Sequence, residues 1–249
     1  MRSKRHLLTL LFLAVATAAF AQPYSLHRAG DVVQLQDART QTTVSILPSV
    51  GNIAIEMNVK GHNILYWPYG SVEEFKARPG MSGIPFLGPW ADRLDEPAFF
   101  ANGRRFAFDM QLGNVRGEMP IHGFVTTTDQ WSVVEAQADT EGAWVTSRLE
   151  FYRQPIWMKQ WPFAHTIEIT HRLHDGVLEV KTTIVNLSAE PMRAVTLWSP
   201  KERPFICVEP TAGIINALNL AARGLYKDLQ SVAPGGTWRE RFWIKASGF

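Results

Sequence analysis

Cys207 is the only cysteine among 249 residues, so no disulfide can form within the chain and the fold has to rest on its core. Charge of one sign is also missing. The formal net charge is +2, but Arg2, Lys4 and Arg5 fall within the first five residues; without them 22 basic side chains stand against 23 acidic ones. No basic excess of the kind that nucleic acid demands is implied. A Gly-rich phosphate loop, a Gly-x-Ser-x-Gly elbow, a His-Glu-x-x-His pair and a cysteine metal cluster are all absent. Nucleotide, redox and zinc chemistry therefore lose weight. An apolar run of membrane-spanning length is missing too, because the stretch 7–20 is too short to cross a bilayer.

That stretch has a different use. It follows three positive charges and runs into Ala19-Phe20-Ala21 before Gln22, which is the charged, apolar and small-x-small order of a secretory leader. Residues 1–21 are expected to be removed, leaving a single domain over 22–249 that works outside the cytoplasm and off the membrane. The alternative is an uncleaved anchor. The 46% apolar and 19% charged content suits a globular core rather than a disordered or fibrous chain. Asn186-Leu187-Ser188 fits a glycosylation acceptor.

Past the leader, period-2 patterns recur between turn residues, and no long amphipathic helix stands out. Strands are expected at 43–47, 53–59, 99–101, 104–108, 131–136, 143–151, 165–173, 177–185, 206–208 and 241–244. Asn102-Gly103 and Asp175-Gly176 sit between two of these pairs, where their tolerance of positive φ favours tight hairpins. About ten strands, no alternating helices and 15 prolines predict an all-β fold, a large antiparallel β-sandwich.

Candidate chemistry lies in a few carboxylates, histidines and an arginine. Glu209 ends Phe205-Ile206-Cys207-Val208, a run apolar on both alternating faces; a carboxylate there is paired, exposed at the rim, or used. His122 opens a His-Gly loop, where a ring can meet a ligand or simply bond nearby backbone. Asp92 and Arg93 follow Trp90, a set able to clamp hydroxyl groups or to form an exposed ion pair. His165, His171 and His174, at offsets of six and three, are not expected to share a face and read as ordinary strand and turn residues. Most of the nine tryptophans are expected in the core, with one or two at most touching a ligand.

Taken in order, these pieces resemble the aldose 1-epimerase (galactose mutarotase) family. The resemblance runs through 83–94, ending Pro89-Trp90-Ala91-Asp92-Arg93-Leu94, and through Asn102-Gly103 to Ile121-His122-Gly123-Phe124. It continues in Leu173-His174-Asp175-Gly176, Asn186, Pro191-Met192, Phe205 to Pro210 and Pro234-Gly235-Gly236-Thr237. It implies a mutarotase-like supersandwich with a carbohydrate cleft, a small sugar as partner, and cofactor-free interconversion of the α and β anomers of an aldose. By position it makes Glu209 the catalytic base, and His122 and Arg93 sugar-binding residues. Asp92 stands where the family has asparagine, keeping an acceptor and losing the amide donor.

After Met192 the family leads into a segment whose histidine is the general acid, followed by further strands. Here the chain runs almost at once to the Glu209 stretch, several tens of residues short, and no histidine follows His174. Two readings follow. Either a substitute donor, such as His122, a water or another neighbour, serves an aldohexose isomerase, or the cleft binds sugar without turning it over. The shortening could also leave strand edges open and the fold weak.

Overall fold

The computed structural model describes residues 22–111, 115–193 and 213–248. The expected leader, the expected strand 206–208, Trp198 and Glu209 lie outside the described residues. Within them the chain opens on an antiparallel meander of β1 (Tyr24–Ala29), β2 (Val32–Asp37), β3 (Thr42–Leu47), β4 (Ile53–Val59) and β5 (His62–Asn63). A short helix α1 (Val72–Ala77) follows, its Ser71 cap accepting from the Glu74 amide at 3.1 Å. Two hairpins come next, β6 (Ala98–Ala101) with β7 (Arg104–Ala107), and β8 (Val115–Arg116) with β9 (Met119–Pro120).

The second large sheet begins with β10 (Trp131–Asp139) and β11 (Gly142–Glu150). After the helix α2 (Pro155–Gln160) it continues with β12 (His165–His174) and β13 (Val177–Asn186). A small pair, β14 (Met192–Arg193) and β15 (Ser231–Val232), flanks α3 (Ala217–Ala222), and β16 (Thr237–Lys245) completes the sheet in the order β10-β11-β12-β13-β16. All its pairings are antiparallel. β1 and β2 lie against β10, β11 and β12, so the two sheets form the expected β-sandwich.

Alternation explains the layers. On β11, Val145, Ser147 and Leu149 are buried while Arg148 is exposed, and on β12 every second residue from His165 to Leu173 is buried. The turns behave as their residues require: Asn102 and Gly103 take φ 51° and 72°, and Asp175 and Gly176 take 46° and 68°. β1 and β2 were not expected. On β1 only Tyr24 is buried, whereas the alternation of Val33 and Leu35 with Gln34 and Gln36 on β2 was readable.

The sheets are tied at one end by polar groups. Asp37, at the end of β2, accepts from the Gly176 amide of the β12–β13 turn at 3.0 Å, and the Tyr24 hydroxyl donates to Asp175 at 3.1 Å. Between the layers, Phe99 stacks on Trp161 with centroids 4.3 Å apart, and Trp90, Phe108 and Phe163 complete an aromatic cluster under the loops described below.

Two expectations are corrected. An offset of six is an even number of strand residues, so His165 and His171 do share a face, and that face is the core. Asn186 is fully buried and unsuited to carry a glycan. Its amide nitrogen donates to the carbonyls of Glu190 and Val232 at 2.8 Å each and of Ala233 at 3.2 Å, and its oxygen accepts from the Ser188 amide and hydroxyl.

Burial holds the two core histidines well below their ordinary value, to about 4 each. The unfolded chain, titrating near 6.5, then binds more protons than the fold between about pH 6.5 and 4. Stability must fall as pH drops through that window, by roughly 3 kcal/mol per histidine, and level off below it. Urea midpoints measured from pH 7 to 4 should show this fall, and His171→Leu should remove about half of it; an unchanged slope in the variant would contradict the assignment.

Candidate functional site

Two loops meet at one end of the sandwich. The first, 83–94, leaves the edge of the first sheet, where the Ile84 amide donates to the Ala54 carbonyl at 2.9 Å. It passes through a cis Gly88-Pro89 bond and anchors Trp90 in the aromatic cluster. The second enters from β9 and carries Ile121, His122 and Gly123. Backbone bonds join the loops: Phe124 to the Gly88 carbonyl at 2.7 Å, His122 to the Asp92 carbonyl at 3.1 Å, and Leu94 to the Pro120 carbonyl at 3.2 Å. Gly123 lies so close that a Cβ on it would stand 1.8 Å from the Gly88 oxygen, and its φ is +58°.

Asp92 and His122 both take left-handed backbone, at φ 52° and 59°, a region that Asp and His visit more readily than most residues. This brings the Asp92 amide to 2.9 Å from the His122 Nδ1, which accepts its proton. The ring is therefore fixed as the tautomer that carries its hydrogen on Nε2. Burial pushes its pKa down; the Asp92 carboxylate opposes this, and Arg116 and Arg93 add to it. An imidazolium would set a second N–H against the Asp92 amide, so His122 is built to donate one hydrogen bond from Nε2 and poorly built to deliver a proton as an acid.

The structure thus brings Asp92, Arg93 and His122 together, but in unequal positions. Arg93 is exposed, with half of its side chain open to solvent (52%). Asp92 is buried beneath it: its Oδ1 accepts from the Arg93 amide at 2.7 Å and lies 3.6 Å from the Arg93 Nε, while Oδ2 is shut away from solvent. Direct sugar contact was expected of Asp92; its carboxylate instead holds Arg93 from below, because the left-handed turn points it into the protein. Glu209 lies outside the described residues. His165 and His171 are enclosed between the sheets, and His174 sits with Asp175 at the β12–β13 turn, its Nε2 3.0 Å from the carboxylate.

Supports that the sequence reading missed come from α3. Asn219, fully buried, donates to Asp95 at 2.9 Å and to the Ala98 carbonyl, and accepts from the Phe100 amide. Arg223 pairs with Asp95 at 2.6 Å. Asn219 and Arg223 stand four apart, the spacing of one helix face, which was the available signal.

A family model described as aldose 1-epimerase matches residues 31–194, which is 164 of the 249 residues. Among solved structures, the chain is similar to a galactose mutarotase-like protein from Clostridium acetobutylicum at 17% identity, covering 90% of this chain and 98% of that one with a TM-score of 0.70. It is also similar to a protein from Synechocystis at 24% identity, covering 66% and 51% with a TM-score of 0.53. A galactose 1-epimerase from Lactobacillus acidophilus matches at 18% identity, covering 69% and 49% with a TM-score of 0.53. The chain spans about half the length of the last two. These likenesses carry the fold.

The interlock makes a specific demand on Gly123. Gly123→Ala should lower the melting temperature sharply, since both the close backbone approach and the positive φ oppose a side chain. Gly30→Ala, at φ +61° with nothing within 4 Å, should cost only about 1 kcal/mol, the conformational part alone. Equal losses in the two variants would overturn the interlock.

Proposed function

The chain belongs to the aldose 1-epimerase family, and on that premise we propose that it interconverts the α and β anomers of an aldohexose by cofactor-free ring opening. The observation that supports this best is that Arg93 and His122, on two interlocked loops, are both held by Asp92: a cation and a neutral Nε2–H donor suit the hydroxyl and ring oxygens of a sugar. Glu209 is assigned the base. Its carboxylate takes the proton of the C1 hydroxyl, the C1 carbonyl forms, the bond from C1 to the ring oxygen breaks, and that oxygen receives a proton. Rotation about the C1–C2 bond and reclosure in the reverse sense give the other anomer. Asp92 is assigned the support of Arg93, and a water the role of proton donor.

A second reading, sugar binding without turnover, is favoured by the placement of the histidines. His122 accepts a hydrogen bond on Nδ1, His165 and His171 are enclosed in the core, and no histidine follows His174. A missing proton donor costs about 10²–10⁴-fold in rate.

Polarimetry of freshly dissolved α-glucose and α-galactose separates the readings. Acceleration by the wild-type chain that falls about 10²–10⁴-fold in Glu209→Gln supports the isomerase, with Glu209 as base. No acceleration by a cooperatively melting protein would overturn it in favour of binding. Arg93→Ala should weaken sugar affinity roughly 10- to 100-fold, the worth of a charged hydrogen bond, in a tryptophan fluorescence titration; unchanged affinity would remove Arg93 from the cleft. Export is proposed as well, on the strength of 1–21, and expression with that segment should release a chain whose first residue is Gln22.

A further inference from the structure

A net charge near zero says nothing about where charges are placed. On the β13–β16 ribbon, directly opposed residues point to one face, so the register assigns each pair a side. Leu178 with Ile244, Val180 with Phe242 and Ile184 with Trp238 face the core, and Thr182 with the exposed Glu240 interrupts that row. Val177 with Lys245, Glu179 with Trp243, Lys181 with Arg241 and Thr183 with Arg239 face outward. The outer set holds four cations and one carboxylate. Glu179 is matched to Arg241 at 3.3 Å; among the described residues Lys181, Arg239 and Lys245 have no ion-pair partner.

Lys181 and Arg241 stand directly across from each other, and Glu179 is paired with Arg241 alone. Trp243, beside them, is 58% exposed, the most exposed aromatic ring among the described residues whose exposure decides this face, with the Arg241 guanidinium 5.8 Å from its centre. The same row continues across the sheet through Glu179 and Arg172 to Trp144, half-buried on β11. Three strand spacings set the two rings roughly 14 Å apart. Between them, in the next row, the hydroxyls of Thr146 and Thr170 meet at 2.9 Å.

We propose that this outer face binds an acidic polysaccharide, a uronic-acid polymer laid across the strands with sugar rings on Trp243 and Trp144 and carboxylates among Lys181, Arg239, Arg241 and Lys245. Aromatic faces suit the apolar side of a pyranose, and separated carboxylates suit cations interrupted by a glutamate and by threonines. Duplex nucleic acid is a poorer match: it presents one charge per about 1.7 Å, denser than a row of cations interrupted by a glutamate can follow. The proposal does not rest on the loop site or on its activity.

Affinity electrophoresis in native gels tests it. Polygalacturonate should retard the full chain, and added salt should relieve the retardation, while the neutral polymer hydroxyethylcellulose should have a weaker effect. Trp243→Ala and the pair Lys181→Glu with Arg239→Glu should each lower the affinity at least tenfold, with melting temperature and sugar mutarotation unchanged. No retardation by polygalacturonate, or full retention in both variants, would overturn the proposal. Equal or stronger retardation by double-stranded DNA would overturn it in favour of a nucleic-acid surface. A dimer in sedimentation that Trp243→Ala dissociates would instead assign the face to a second copy of the chain.

Discussion

The two-way bond between Asp92 and His122 governs the rest of the site. Each residue gives the other a hydrogen bond, amide to ring in one direction and amide to carbonyl in the other, and each must hold left-handed backbone to do so. Neither bond survives without the close approach of Gly88 and Gly123 that brings the loops together. From it follow the tautomer of His122, the inward turn of the Asp92 carboxylate and the outward projection of Arg93. The aromatic cluster under Trp90 holds the first loop from behind, and the Asn219 contacts from α3 hold Asp95 and β6, which follow it. The site is made mainly of backbone placed by packing, with few side chains exposed on top.

That dependence explains what the sequence made legible. Local chemistry was readable: the positive φ of Asn102-Gly103 and Asp175-Gly176, the alternation of β11, and the histidine and arginine of the two loops. What depends on the approach of distant segments was hidden. Nothing near Asp92 announces that its carboxylate points inward, since this follows from a partner 30 residues away. Asn186 has the local pattern of a glycan acceptor, and only the arrival of Val232 and Ala233 shows its amide to be a core group. The basic strip on β13 and β16 was invisible to a sum of charges, because three of its four cations are contributed by a strand some 60 residues later in the chain.

The stretch that follows β14 is bounded by a fixed junction. β14 pairs Met192 with Val232, so the two ends of the stretch between β14 and β15 lie beside one another. Asn186 reinforces that junction by bonding Glu190 on one side and Val232 on the other. Segments of very different length can be accommodated between two such ends, because loop closure grows only slowly more costly with length. The ends of β13 and β16 stay where they are, with the Asn186 amide held by Gly236.

The same asparagine bears on the choice of host for making the protein. Oligosaccharyl transfer reads an Asn-x-Ser triplet on an extended chain as it crosses the membrane, before Val232 and Ala233 have packed against it. A sugar attached to Asn186 at that moment would occupy the nitrogen that later has to reach three carbonyls inside the core. Modification and folding therefore compete for one atom. A eukaryotic secretory pathway is expected to yield misfolded glycoprotein from a sequence that a host without the transferase folds normally, and replacing Ser188 would separate the two processes only by removing one of the bonds that hold Asn186 in place.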